Sequence, residues 1–146
     1  MEKDLKKGIG KFNTIYKKID DIYVNYAKSL GMSNYVMLDI LELLYNEDKL
    51  YTQKDFCELL NLKKQVVNIM VNDLRVKELV ELKEGEDRRH KNITLTAEGK
   101  VFMGKVIETQ KDIENGLLNI LTSAEIATCV SVLEKYEKLL IKTLNL

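Results

Sequence analysis

The sequence predicts a mainly α protein, α+β in detail, with six helices and one two-stranded antiparallel hairpin. Three observations carry that expectation. Apolar residues recur at spacings of three and four along most of the 146 residues, the period of helices with one buried face. Two short runs, Leu79-Val80-Glu81-Leu82 and Ile93-Thr94-Leu95, read instead as strands. Proline is absent, so helices run long without kinks and breaks fall to Gly, Asn and Asp.

Taken in order, Leu5 to Leu30 carries Ile9, Phe12, Ile15, Tyr16, Ile19, Ile22, Tyr23 and Tyr26 as one helical stripe. Gly31 closes that helix as a C-terminal cap. Ser33 is placed to cap the second helix, with Val36, Met37, Ile40, Leu41 and Leu44 facing inward. Asn46-Glu47-Asp48 reads as a loop. Thr52 caps a short third helix with Phe56, Leu59 and Leu60 as its core, and Asn61-Leu62 turns the chain. The fourth helix runs from Lys63 to Lys77 and buries Val66, Val67, Met70, Val71 and Leu74. Gly85 to Lys91 joins the two strands as a hairpin tip. Thr96 opens a fifth helix to about Ile120, and Thr122-Ser123-Ala124-Glu125 is a capping box that starts a sixth. That last helix aligns Ile126, Val130, Leu133, Tyr136, Leu140 and Leu144 on one side.

The bulk numbers exclude several classes. With 45% apolar and 32% charged residues the chain is globular, and its length suits a single domain spanning 1–146. No run of 18 apolar residues is present, and the N-terminus lacks a signal-peptide core, so a cytoplasmic location is expected. Cys57 and Cys129 lie in apolar helical contexts and are expected to be small buried thiols, not a disulfide or a sensor. With His90 the sole histidine, neither a Cys/His metal site nor a catalytic centre is expected, and no cofactor is implied.

The functional pattern is positional. Two helices, a hairpin tipped by Arg88-Arg89-His90-Lys91, and another helix follow in that order. This arrangement puts one helix in a DNA major groove and a charged loop in the neighbouring minor groove. The exposed side of the fourth helix carries Lys63, Lys64, Gln65, Asn68 and Asn72. Gln and Asn pair bidentately with adenine, and the lysines reach phosphate or guanine. The net charge of zero, from 23 basic and 23 acidic residues, counts against a nonspecific DNA coat but not against a specific reader. The apolar stripes of the first and last helices call for burial against a second copy, with Ile9, Phe12, Leu133, Tyr136 and Leu140 at the interface.

The ordered set resembles the MarR family of regulators. The resemblance rests on Thr52-Gln53-Lys54-Asp55-Phe56-Cys57-Glu58-Leu59-Leu60, on Leu74-Arg75-Val76-Lys77-Glu78-Leu79-Val80, and most sharply on Asp87, Arg89, Leu95, Thr96 and Gly99, which match a D-x-R…L-T-x-x-G pattern. It implies a winged helix-turn-helix with dimerisation helices from both termini. Residues 1–32 and 121–146 would form the dimerisation region, and 33–120 the winged lobe and linking helix. It also implies that Arg89 enters a minor groove, that Asp87 orients its guanidinium, and that double-stranded DNA with a pseudo-palindromic operator is the partner. The implied role is a transcriptional repressor released by a small-molecule or stress signal. Tyr16, Tyr23, Tyr26 and Tyr35 are candidates to line an effector pocket, although a tyrosine stripe also serves as core or interface. Three residues depart from the family pattern: Glu78 stands where glycine is usual, Ile69 where a basic contact is common, and Val66 where threonine is common. The alternative is a winged-helix protein-interaction module without DNA binding.

Overall fold

A computed structural model describes residues 1–46 and 49–146. The elements are α1 (Glu2–Ser29), α2 (Val36–Asn46), α3 (Gln53–Leu60), α4 (Lys64–Val76), β1 (Val80–Glu84), β2 (Lys91–Leu95), α5 (Ala97–Ile120) and α6 (Ser123–Leu144). Among the described residues, the six helices and the two-stranded antiparallel sheet are those the sequence predicts. Of the loop expected at Asn46-Glu47-Asp48, residues 47 and 48 lie outside the described residues. The chain divides into two compact units, 1–104 and 105–146.

In the first unit, α1 ends as its glycine predicts. Gly31 takes φ +78°, its N–H donates to the Lys28 carbonyl at 2.9 Å, and the Met32 N–H reaches the Ala27 carbonyl at 3.0 Å. Ala27 and Met32, the apolar pair such a cap brings together, are both buried. The cap of α2 differs from expectation. Asn34 Oδ1 accepts from the Val36 N–H at 2.9 Å, while the Ser33 hydroxyl donates to Met37 Sδ and Asp73 Oδ2. An Asn side chain two residues upstream reaches the free N–H directly, which leaves Ser33 to tie α2 to α4.

The core joins Met37, Ile40 and Leu41 of α2, Phe56 of α3, Val67, Val71 and Leu74 of α4, Ile93 of β2 and Met103 of α5, each under 2% exposed. Two expected core residues are outside it: Leu59 is 55% exposed and Val66 is 38% exposed. Leu59 lies at the edge of the apolar face that Phe56 centres, on the side away from the half-buried Leu60. Thr52 caps α3 through a reciprocal box with Asp55, and Asn61 ends it in the left-handed region at φ 50°. Tyr51 adds a bridge to the sheet: the Ile93 N–H donates to its carbonyl at 2.7 Å, and its ring stacks on Phe56 at 5.4 Å. The strands pair from Val80↔Leu95 to Glu84↔Lys91, so Lys91 belongs to β2, not to the tip.

The Leu95-Thr96-x-x-Gly99 pattern has a packing cause. The Thr96 hydroxyl accepts from the Gly99 N–H at 2.9 Å, capping α5, and donates to the Glu78 carbonyl at 2.6 Å. The Thr96 N–H donates to the Leu79 carbonyl at 3.1 Å. A β-carbon at Gly99 would collide with that same Leu79 carbonyl. One hydroxyl and one missing side chain thus hold the start of α5 against the residues that follow α4.

The second unit holds most of α5 and all of α6. Thr122 and Glu125 form the expected capping box, with Glu125 Oε2 accepting from the Thr122 N–H at 2.8 Å. No residue of α6 is buried: Val130, Leu133, Leu140 and Leu144 are exposed, and Ile126 and Tyr136 are half-buried. Among the described residues no single helix is long and apolar enough to cross a membrane.

Candidate nucleic-acid interface

The face of α4 opposite the core is built by periodicity. Val67, Met70, Val71 and Leu74 turn inward and are buried. Lys63, the N-cap residue, and Lys64, Gln65, Asn68 and Asn72 are therefore exposed, as the sequence predicts. Gln53 at the start of α3 donates from Nε2 to Asn68 Oδ1 at 3.5 Å, and Arg75 donates to Asn72 Oδ1 at 3.5 Å. Both asparagines of α4 are thus braced from neighbouring positions.

The helix ends in the conformation its residues resist. Glu78 takes φ +59°, the Glu78 N–H donates to the Arg75 carbonyl at 2.9 Å, and the Leu79 N–H to the Leu74 carbonyl at 3.0 Å. Leu74 and Leu79 are buried together beneath this cap. The turn expected to need glycine is retained with Glu in it, held by the two backbone hydrogen bonds and by Thr96.

The wing tip is a tight turn. The His90 N–H donates to the Asp87 carbonyl at 3.0 Å, which sets Arg88 and Arg89 at the two central positions, both exposed. Asp87 Oδ1 accepts from the Arg89 main-chain N–H at 3.0 Å, and Oδ2 meets His90 Nδ1 at 3.1 Å. The Arg89 N–H and the imidazole hold the Asp87 carboxyl below the usual carboxylate range. Asp87 thus engages Arg89 through the main chain, whereas the family resemblance implied a contact to the guanidinium. An Asp one residue before two turn-corner arginines is best placed to close the turn, because the nearer donor is the backbone N–H.

Between α3, the start of α4 and the wing lies a cleft of about 560 Å³. Lys54, Lys64, Arg88, Arg89 and Lys91 line it, with Thr52, Gln53, Cys57, Leu82 and His90. The structure therefore brings the two wing arginines, Lys91 and Lys64 to one cleft. Sequence reasoning missed Gln53 and Lys54. Their signal was the Thr52–Asp55 cap, which fixes the first turn of α3 and leaves the two residues between them polar and outward. The thiols differ from expectation: Cys57 is half-buried at the cleft and Cys129 is exposed. Each lies on an amphipathic helix beside the boundary of the apolar stripe, where periodicity does not decide burial.

The expected interface residues sit on the two terminal helices. Ile9 on α1 is exposed, and Phe12 is half-buried with its ring 6.2 Å from that of Tyr16. Leu133 and Leu140 on α6 are exposed and Tyr136 is half-buried. Of the four candidate pocket tyrosines, Tyr23 and Tyr35 meet edge to face at 5.9 Å. Burial, then Asp39 and Tyr23, push the Tyr35 hydroxyl above its ordinary pKa. Among the described residues no group of three or more His, Cys, Asp or Glu side chains is clustered for a metal ion.

The model of the MarR family matches residues 36–90, the span from α2 to the wing tip. That segment is similar to the MarR family. The chain is similar to solved MarR-type structures over nearly its full length. With the S. aureus MepR-DNA complex it shares 22% identity at a TM-score of 0.69, covering 88% of this chain and 94% of that one. With the YusO protein from Bacillus subtilis the values are 21% and 0.70, covering 94% and 98%. With a MarR family regulator from Neisseria meningitidis they are 23% and 0.67, covering 94% and 96%. The comparison with curated proteins finds no match.

Proposed function

We propose that this MarR-type chain is a dimeric, sequence-specific DNA-binding transcriptional regulator, a repressor released by a small-molecule or stress signal. The observation that carries the reading is the shared cleft, in which the start of the polar helix α4 and the arginine-tipped wing form one basic surface. On this reading α4 enters the major groove. Gln65, Asn68 and Asn72 face base edges and Lys63 and Lys64 take phosphate or guanine. Arg89 enters the flanking minor groove, where the negative potential is deepest, with Arg88 and Lys91 on the backbone. The apolar stripes of α1 and α6 join two copies, so the DNA site is a pseudo-palindrome with half-sites about 10–11 base pairs apart, centre to centre.

The similar MepR structure is a complex with DNA, and the similar heme sensor PefR from Streptococcus agalactiae is a complex with heme. They supply precedents for an operator-bound and an effector-bound form of one fold. An effector that prefers the free dimer weakens DNA binding by the same factor by which DNA weakens effector binding. The role is non-enzymatic and cytoplasmic, and needs no cofactor. The exposed Ile69 and the zero net charge favour, as a second reading, a protein-interaction module.

The test is selection of bound fragments from genomic DNA by the purified protein, followed by titration of the selected site at several salt concentrations. A two-fold site bound with a steep salt dependence supports the regulator. Weak binding indifferent to sequence supports the second reading. Leu133→Glu should yield monomer or aggregate and lose the two-fold site; an unchanged mass in light scattering with an intact fold removes α6 from the interface.

A further inference from the structure

One residue on the DNA-facing side of α4 is neither polar nor covered. Ile69 is 62% exposed. Gln65, Asn68, Ile69 and Asn72 stand at helical spacings of three, four and seven, so they form one stripe opposite the buried Val67, Met70 and Leu74. Val66, three residues before Ile69, adds a second partly exposed apolar side chain. Helix formation does not explain the choice, because β-branched residues are poorer helix formers than Ala, Lys or Gln. Core packing does not explain it either, since the side chain lies outside the core.

We infer that Ile69 is a specificity-determining residue that reads the C5-methyl group of thymine in the major groove. This rests on the DNA-binding reading above. The occupant follows from the surroundings. Lys63 and Lys64 at one end of the stripe, and Arg88, Arg89 and Lys91 across the cleft, select a polyanion. The thymine methyl is the apolar group that a base pair presents in the major groove. Gln65, Asn68 and Asn72 carry the amide groups that match the adenine N6 and N7 of the same pair. Amides for adenine and an isoleucine for thymine are complementary to the two halves of one A·T edge. A basic residue at position 69 would instead favour guanine or phosphate. The chain therefore trades a charge contact for a preference for A·T pairs under α4.

The experiment uses the full-length protein and a duplex carrying its selected site. Each thymine of a half-site is replaced in turn by deoxyuridine, which removes the methyl and keeps Watson–Crick pairing. At one thymine per half-site the parent protein should lose about three- to tenfold in affinity, the scale of one buried methyl group. Ile69→Ala, at an exposed position and with a good helix former, should bind the thymine duplex more weakly by a similar factor. It should not distinguish thymine from uracil there, so the two changes are non-additive. Ile69→Thr, which keeps one methyl, should retain part of the discrimination. Sequence-specific binding with additive effects, or with no thymine–uracil difference at any position, overturns the inference and leaves the regulator reading intact. Absence of salt-dependent, sequence-specific binding overturns both.

Discussion

Replacing Glu78 by glycine should stabilise the protein. Glu78 occupies the left-handed region at φ +59°, between α4 and β1. A residue with a β-carbon there costs about 1–2 kcal/mol relative to a right-handed conformation. Glycine avoids that strain but surrenders about 0.5–1 kcal/mol of extra chain entropy on folding. The carboxylate also sits at the negative end of α4, and removing it returns a few tenths of a kcal/mol at an exposed site. The balance for Glu78→Gly is a gain of about 1 kcal/mol. Glu78→Ala keeps the strain and loses the charge, so it should gain only the few tenths. Urea denaturation at fixed protomer concentration measures both. The midpoint should rise clearly for Glu78→Gly and little for Glu78→Ala, with equal slopes, and the melting temperature of Glu78→Gly should rise about 2–4 °C. If Glu78→Gly is no more stable than Glu78→Ala, the strain at this turn is not a cost the folded chain carries.

Three further outcomes are expected. Gly99→Ala should destabilise by at least about 2 kcal/mol, because the neighbour its β-carbon meets is backbone and cannot swing aside; Gly116→Ala, with open space around it, should instead stabilise α5 by about 0.5–1 kcal/mol, and thermal melts compare the signs. Arg89→Ala should cost about 1–3 kcal/mol of DNA binding per contact and reduce the salt slope, while Lys91→Ala does less; equal small losses in titrations at two salt concentrations would mean the wing acts as a diffuse charge patch. Asp55 is held below its ordinary pKa of 3.8, chiefly by the Thr52 main-chain N–H and then by the Thr52 hydroxyl. A depressed folded pKa gives stability that is complete above the unfolded value and lost as the pH falls through the folded one. Asp55→Asn should accordingly flatten the acid limb of the stability–pH curve below about pH 4 and leave its slope near neutrality unchanged.

Much of this architecture was legible because the residues that decide it act locally. Gly31, Thr52, Thr96 and Thr122 each specify a helix end through bonds to the backbone a few residues away, and each is found doing so. Ser33 misled because Asn34, beside it, offers the better acceptor, a choice settled by geometry and not by residue type. Leu59 and Val66 misled because periodicity gives the centre of an apolar face but not its edges. In the candidate interface the polar stripe of α4 followed from spacing alone. Gln53 and Lys54 did not, because their place at the cleft depends on how α3 approaches the wing. The Tyr51 bridge was invisible for the same reason: its partner lies far along the chain.

The bond from Thr96 to Glu78 closes the base of the hairpin without reference to anything beyond it. The strands are clamped where they leave the helical body, and the segment from Gly85 to His90 hangs from that clamp. Such a mount accepts interchangeable tips. The six residues can be lengthened, shortened or rewritten while strand register and the footing of α5 stay as they are. On the DNA-binding reading proposed above, new operators would come within reach of the same body through changes confined to its fingertip, with the fold uninvolved.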